Sequence, residues 1–188
     1  MPPTAILVLD IQNTTISILG GPQKMTPYLT HLSTTLAQAR LNLTTRVIHI
    51  RTGFRAGYPD LHPRNPSFAR VVPKATYAEH DPESQFHPLV EPQTGDLAIT
   101  KRRVSAFTGT DLELLLRSLG TEQLVIVGLT TSGAVLSTVR QAADLDFGVT
   151  VLRDLCMDRE EDVHEVLMEK VFSRQARVVD SEVWLEGL

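Results

Sequence analysis

Short blocks without a single polar interruption, such as Ala5-Ile6-Leu7-Val8-Leu9 and Leu124-Val125-Ile126-Val127, constrain this chain more than anything else in it. A strand with one wet face alternates apolar and polar residues. A solid block must be covered on both faces. Between the blocks the apolar residues recur at helical spacing. Thr26-Pro27 reads as an N-cap and a first-turn proline, and Leu29, Leu32, Leu36, Ala39 and Leu43 follow as one stripe. Residues 46–51 (RVIHIR) read as a second strand, and Leu97-Ala98-Ile99-Thr100 as a third that ends at Lys101. Thr110 with Glu113 makes a capping-box pattern ahead of Leu112, Leu115 and Leu116, and Gly120 stops that helix. After the fourth strand, Val135, Val139, Ala142 and Ala143 line a helix. Residues 149–152 form a fifth strand, 158–172 a helix burying Val163, Val166, Leu167 and Val171, and 176–179 a sixth strand.

Strands alternating with helices give an α/β fold with a parallel sheet. Right-handed crossovers make it a doubly wound, Rossmann-like, three-layer α/β/α sandwich. Such sheets bind ligands at the carboxyl ends of their strands. Asp10, Lys101 and Gly128 all stand at those ends, so three distant segments converge on one rim.

The 188 residues are read as one domain. A net charge of −4 offers no basic footprint for nucleic acid. Met1-Pro2-Pro3-Thr4 has no basic n-region, and the apolar run behind it is too short for a signal peptide or a membrane span. The lone Cys156 excludes an internal disulfide and fits a reducing compartment, so cytoplasm is the expected location. One stretch, 53–96, breaks the pattern. It holds seven of the eleven prolines yet carries Phe54, Tyr58, Phe68, Tyr77 and Phe86, and reads as an ordered lid over the rim.

Three motifs in register, Leu7-Val8-Leu9-Asp10-Ile11-Gln12-Asn13, Thr100-Lys101-Arg102-Arg103-Val104-Ser105-Ala106-Phe107 and Gly128-Leu129-Thr130-Thr131, resemble the isochorismatase-like hydrolase superfamily. Ser137-Thr138 and the helix over 140–144 agree with it. The resemblance implies a six-stranded parallel sheet in the order 3-2-1-4-5-6, a homo-oligomer (dimer or tetramer), a small-molecule substrate and no cofactor. It also implies two chemistries. In the cysteine branch an Asp–Lys–Cys triad opens an amide. In the isochorismatase branch a protonated aspartate delivers its proton to a vinyl-ether carbon, water adds, and the hemiketal collapses.

Carried over residue by residue, the resemblance makes Asp10 the acid/base and Lys101 its electrostatic partner. A cis peptide is implied at Leu129-Thr130, with backbone donors near Gly133 for an oxyanion. The position of the nucleophilic cysteine is Ala134. Ser132, Ser137 and Thr138 are displaced by two or more positions and face elsewhere on a helix. The candidate substrate-binding set is Gln12, Phe54, Tyr58, Arg64, Phe107, Leu129, Thr130, Thr131 and Gly133, in which the lid residues Phe54 and Tyr58 form an aromatic wall, Arg64 meets a carboxylate or other anion and Phe107 closes the pocket. Lid packing for Phe54 and Tyr58, a surface charge for Arg64 and a core role for Phe107 are the alternatives. Asp60-Leu61-His62 imitates half of the nicotinamidase metal motif, but its second histidine is missing, so no metal is expected. Without sulfur, the expected chemistry is hydrolysis by Asp10 with water as the nucleophile, on a small carboxylated molecule. A non-catalytic binding or scaffold relative, and an amidase with a relocated nucleophile, remain the rival readings.

Overall fold

The computed structural model describes residues 2–69, 71, 74 and 76–188. Six parallel strands, β1 (Thr4–Leu9), β2 (Thr45–Thr52), β3 (Leu97–Lys101), β4 (Gln123–Leu129), β5 (Gly148–Met157) and β6 (Arg177–Val179), form one sheet in the order β3-β2-β1-β4-β5-β6. The helices are α1 (Asn13–Ile18), α2 (Gly21–Ala39), α3 (Pro66–Ala69), α4 (Leu112–Ser118), α5 (Leu136–Asp144), α6 (Glu161–Val166) and α7 (Ser181–Leu185).

The solid apolar blocks are explained by two cores. Leu7, Leu9, Ile48, Ile50 and Ile126 point to one face, where they pack with Leu112 and Leu116 of α4 and Val139 and Ala142 of α5. Ile6, Val8, Val47, Val125 and Val127 point to the other, against Met25, Leu29, Leu32 and Leu36 of α2. Alternate residues of each strand therefore serve opposite layers, which leaves no room for a polar face.

Several local expectations are corrected. Helix α2 starts five residues before Thr26, with Pro22 in its first turn after Gly20 at φ 126°, and Pro27 lies inside it. Thr26 returns its hydroxyl to the Pro22 carbonyl at 2.8 Å instead of capping. The helix ends at Ala39, so Leu43 leaves the stripe and is 87% exposed. The capping box at Thr110 does not form. Asp111 is the N-cap, without a side-chain bond, and Glu113 sits one turn before Arg117. Gly120, at φ 65°, does end α4. The 158–172 helix breaks into α6 and tighter and wider turns. Its buried anchors are Met168 and Phe172, while Val163, Leu167 and Val171 are half-buried and Val166 is exposed. The fifth strand runs to Met157, so Cys156 lies within β5 rather than beyond it.

At the rim, Gly128 pairs with Leu9 across β4 and β1 and has φ 131°. An added Cβ would come within 2.7 Å of the Leu9 nitrogen and 2.9 Å of its carbonyl carbon. Only glycine permits that approach.

Candidate active site

Asp10 follows β1 in the left-handed region, at φ 54°. An aspartate tolerates this conformation better than most residues. Its backbone N–H still donates to Ile50 at 2.8 Å, so the residue is tied to β2. Lys101 ends β3, two strands away, and pairs in register with Thr52 at the end of β2. The three side chains close a ring. Lys101 Nζ is 2.8 Å from Asp10 Oδ2 and donates to Thr52 Oγ1 at 2.9 Å, and Thr52 Oγ1 donates to Asp10 Oδ1 at 3.1 Å. The ammonium also donates to the Arg103 carbonyl at 3.3 Å. Asp10 is 9% exposed and Lys101 2%. An ion pair removed this far from water is not there for stability, because desolvation offsets most of the attraction.

The ring opens into a pocket of about 210 Å³. Asp10, Lys101, Leu129, Thr130, Gly133 and Ala134 line it, so these six expected residues meet in one place. Thr52, Thr15, Ser67, Phe68, Val71, Tyr77 and Val104 line it as well; of these, Phe68 and Tyr77 are lid aromatics and Val104 belongs to the lysine motif, while Thr52, Thr15, Ser67 and Val71 carried no expectation. Thr15 of α1 and Tyr77 face each other with their oxygens 3.3 Å apart. Burial raises the Tyr77 phenol above its usual range; the Thr15 hydrogen bond opposes this and the Asp10 charge adds to it.

The other expected residues are placed elsewhere. Gln12 is fully buried and spent on backbone. It donates to the carbonyls of Thr52 (2.8 Å) and Ser84 (2.6 Å) and accepts from the Thr52 N–H (2.8 Å). It fastens β2 to the 53–96 segment and does not line the pocket. Phe54 packs edge-on to Phe68 in the small cluster beneath that segment, joined by Tyr58, whose hydroxyl donates to the Thr76 carbonyl. Arg64 is exposed and away from the pocket. Among the described lining residues the one cation is Lys101, already engaged by Asp10. Phe107 belongs to the core, its ring stacked 6.1 Å from that of Phe147. Thr131 turns inward to His164, Oγ1 to Nδ1 2.8 Å. Asp60 is held by Arg55 and Arg102, and His62 Nδ1 accepts from the Arg64 N–H.

The turn that carries Ala134 begins at a cis Leu129–Thr130 peptide. The Thr130 carbonyl accepts from both Gly133 and Val135, and Ser132 N–H donates to Asp158 Oδ2 at 2.6 Å. The Gly133 and Ser132 donors are therefore committed, and the oxyanion role expected near Gly133 loses one of its groups. Asp158 caps this terminus from 26 residues away, a contact no local pattern announces. Cys156 borders a different cavity, and burial pushes its thiol up to about 12.

A model of the isochorismatase domain matches residues 4–183. The chain belongs to the isochorismatase family. It is 31% identical over 189 residues to the uncharacterized isochorismatase family protein YecD of Escherichia coli O157:H7, covering 98% of this chain and 96% of that one. It is 29% identical over 170 residues to the ureidoacrylate amidohydrolase RutB of Pantoea ananatis, covering 80% of this chain and 68% of the relative. The solved isochorismatase family protein from Desulfovibrio vulgaris superposes with a TM-score of 0.87 at 23% identity, covering 100% of this chain and 98% of that one, and shows the shared fold. This isochorismatase-family hydrolase has no helix, among its described residues, long and apolar enough to cross a membrane.

Proposed function

We propose that this hydrolase works by proton transfer through Asp10, with water rather than a side chain as the nucleophile. The observation that carries this reading is the pairing of a buried carboxylate and ammonium in a pocket whose wall at residue 134 is a methyl group. The likeness to the cysteine branch puts that branch's thiol at position 134. Alanine there removes covalent attack and leaves acid–base chemistry intact. The relocated-nucleophile reading finds no support in Thr138, whose hydroxyl accepts from the Ala106 N–H, or in the buried Cys156.

The reaction best matched is cleavage of a vinyl ether. Asp10, protonated, gives its proton to the terminal vinyl carbon, and the C–C π electrons form the new C–H bond. Water adds to the resulting oxocarbenium carbon and returns a proton to Asp10. The hemiketal then breaks its C–O bond, and its hydroxyl proton goes to the leaving alcohol oxygen. Lys101 holds the carboxylate in place between these steps and offsets its charge. The hydroxyls of Thr15, Tyr77 and Thr130 orient a polar group, and Phe68, Val71, Val104 and Leu129 hold an apolar body. The substrate class read for this pocket is a small molecule with a polar, hydrogen-bonding end, a carboxylate included, although Arg64 does not line it.

The test is a panel of small vinyl ethers, amides and lactones offered to the parent and to Asp10→Asn. Turnover of a vinyl ether that drops at least about 100-fold in Asp10→Asn supports the reading. Full activity of Asp10→Asn, or turnover confined to amides through a covalent adduct, overturns it.

A further inference from the structure

Asp10 and Lys101 do not meet alone. The Thr52 hydroxyl stands between them, accepting from Lys101 Nζ at 2.9 Å and donating to Asp10 Oδ1 at 3.1 Å. The direction of both bonds follows from chemistry. An ammonium has only donors, so the hydroxyl must accept from it, and its single proton is then left for the carboxylate. From this juxtaposition we propose that Thr52 is a positioning residue, which locks the Asp10 carboxyl in the rotation that points its free lone pair into the pocket.

The reasoning rests on the acid–base reading of Asp10. The aspartate χ2 torsion is broad and weakly held by itself. Lys101 Nζ meets the carboxyl at Oδ2, and a grip at one oxygen leaves the carboxyl free to swing about that oxygen. Thr52 supplies the second grip on Oδ1. Its own backbone is immobilised on both sides by Gln12, through Thr52 N–H to Gln12 Oε1 and Gln12 Nε2 to the Thr52 carbonyl, each 2.8 Å. Gln12 and Thr52 are both buried. The motif Asp10-Ile11-Gln12 thus aims its aspartate indirectly: Gln12 fixes the end of β2, the end of β2 fixes a hydroxyl, and the hydroxyl fixes the acid. The hydroxyl is fully used within the ring, so it has no proton left for substrate, and its loss is expected in the chemical step rather than in binding.

The experiment uses the full chain and whichever panel substrate the parent turns over. Thr52→Val keeps the shape and removes the hydroxyl; Thr52→Ser keeps the hydroxyl. The expected result is a fall of about 10- to 100-fold in kcat for Thr52→Val, the range of one charge-assisted hydrogen bond, with KM within about 2-fold. Thr52→Ser should stay within about 3-fold of the parent in kcat. Should the valine protein not fold, Thr52→Ala takes its place under the same criteria. Unchanged kcat in the hydroxyl-free variant, or a serine variant as impaired as it, overturns the role of Thr52. Asp10→Asn, run alongside, separates this from failure of the acid–base reading: an active Asp10→Asn indicts that reading, whereas an inactive Asp10→Asn beside an active Thr52→Val indicts only the positioning proposal.

Discussion

Acidification from pH 7 to 4.5 is expected to weaken this protein through one buried imidazole. His49 lies in β2 with no exposed surface. Its Nε2 is 3.2 Å from Asp96 Oδ2, its ring meets the edge of Phe86 at 5.7 Å, and Nδ1 has no hydrogen-bond partner among the described residues. A second proton would have to sit on that orphaned nitrogen. Burial therefore lowers the His49 pKa from 6.5 to about 4, although Asp96 pulls it the other way. Because the folded value is depressed, the unfolded chain binds more protons between the two values. The contribution is complete above pH 6.5 and is lost as the pH falls towards 4. A difference of about 2.5 pH units corresponds to roughly 3 kcal/mol, of which about 2.5 kcal/mol is lost between pH 7 and 4.5. His87 and His164, both lowered by burial, act in the same direction. Asp96 itself is held low: burial raises it, but Arg40, the Gln93 N–H and His49 outweigh that, so its contribution fades only below its unfolded value of 3.8. Urea unfolding of the parent and of His49→Gln across this range isolates the contribution of His49. Glutamine keeps a donor for Asp96 and cannot titrate. The parent should lose about 2 kcal/mol more than the variant on acidification. Parallel curves, within about 0.5 kcal/mol at every pH, would refute the reasoning.

Three further outcomes are expected. Gly128→Ala drives a Cβ into the Leu9 backbone, which cannot yield, so the variant should be insoluble or show its melting temperature lowered by at least about 10 °C in calorimetry. Lys101→Met leaves the buried Asp10 carboxylate unpaired; a stability loss of about 3–5 kcal/mol by urea titration, together with lost turnover, is the expected pair of results. Ala134→Cys places a thiol in the pocket. It should react with iodoacetamide in the native state while the parent, whose Cys156 is buried with its thiol pushed up to about 12, should not, as read by intact mass.

The layers of the fold were legible because the cores of β1 and β4 are solid apolar blocks, and a block has one physical solution: cover on both faces. Strand ends carried Asp10, Lys101 and Gly128 to one rim for the same reason. What failed was local. Two prolines compete to open α2, and the glycine pair Gly20-Gly21, with positive φ at both, decides for Pro22 over Pro27. Within the site, nearness in sequence says which rim a residue joins but not which way its side chain turns. Gln12 and Phe107 flank the acid and the lysine and yet point into backbone and core. Thr52 could have been found, since it ends β2 in register with Lys101. The Asp158 cap and the Arg40–Asp96–His49 cluster join segments with no shared period, and only the folded chain brings them together.

Running turnover of a vinyl ether in deuterium oxide and weighing the ketone tests the central claim most directly, provided the ketone does not exchange its protons during the assay. Proton delivery by Asp10 to carbon predicts one deuterium on the carbon that was the vinyl terminus, with no mass added to the protein at any time. A ketone without deuterium, or a protein carrying a substrate fragment during turnover, would contradict it.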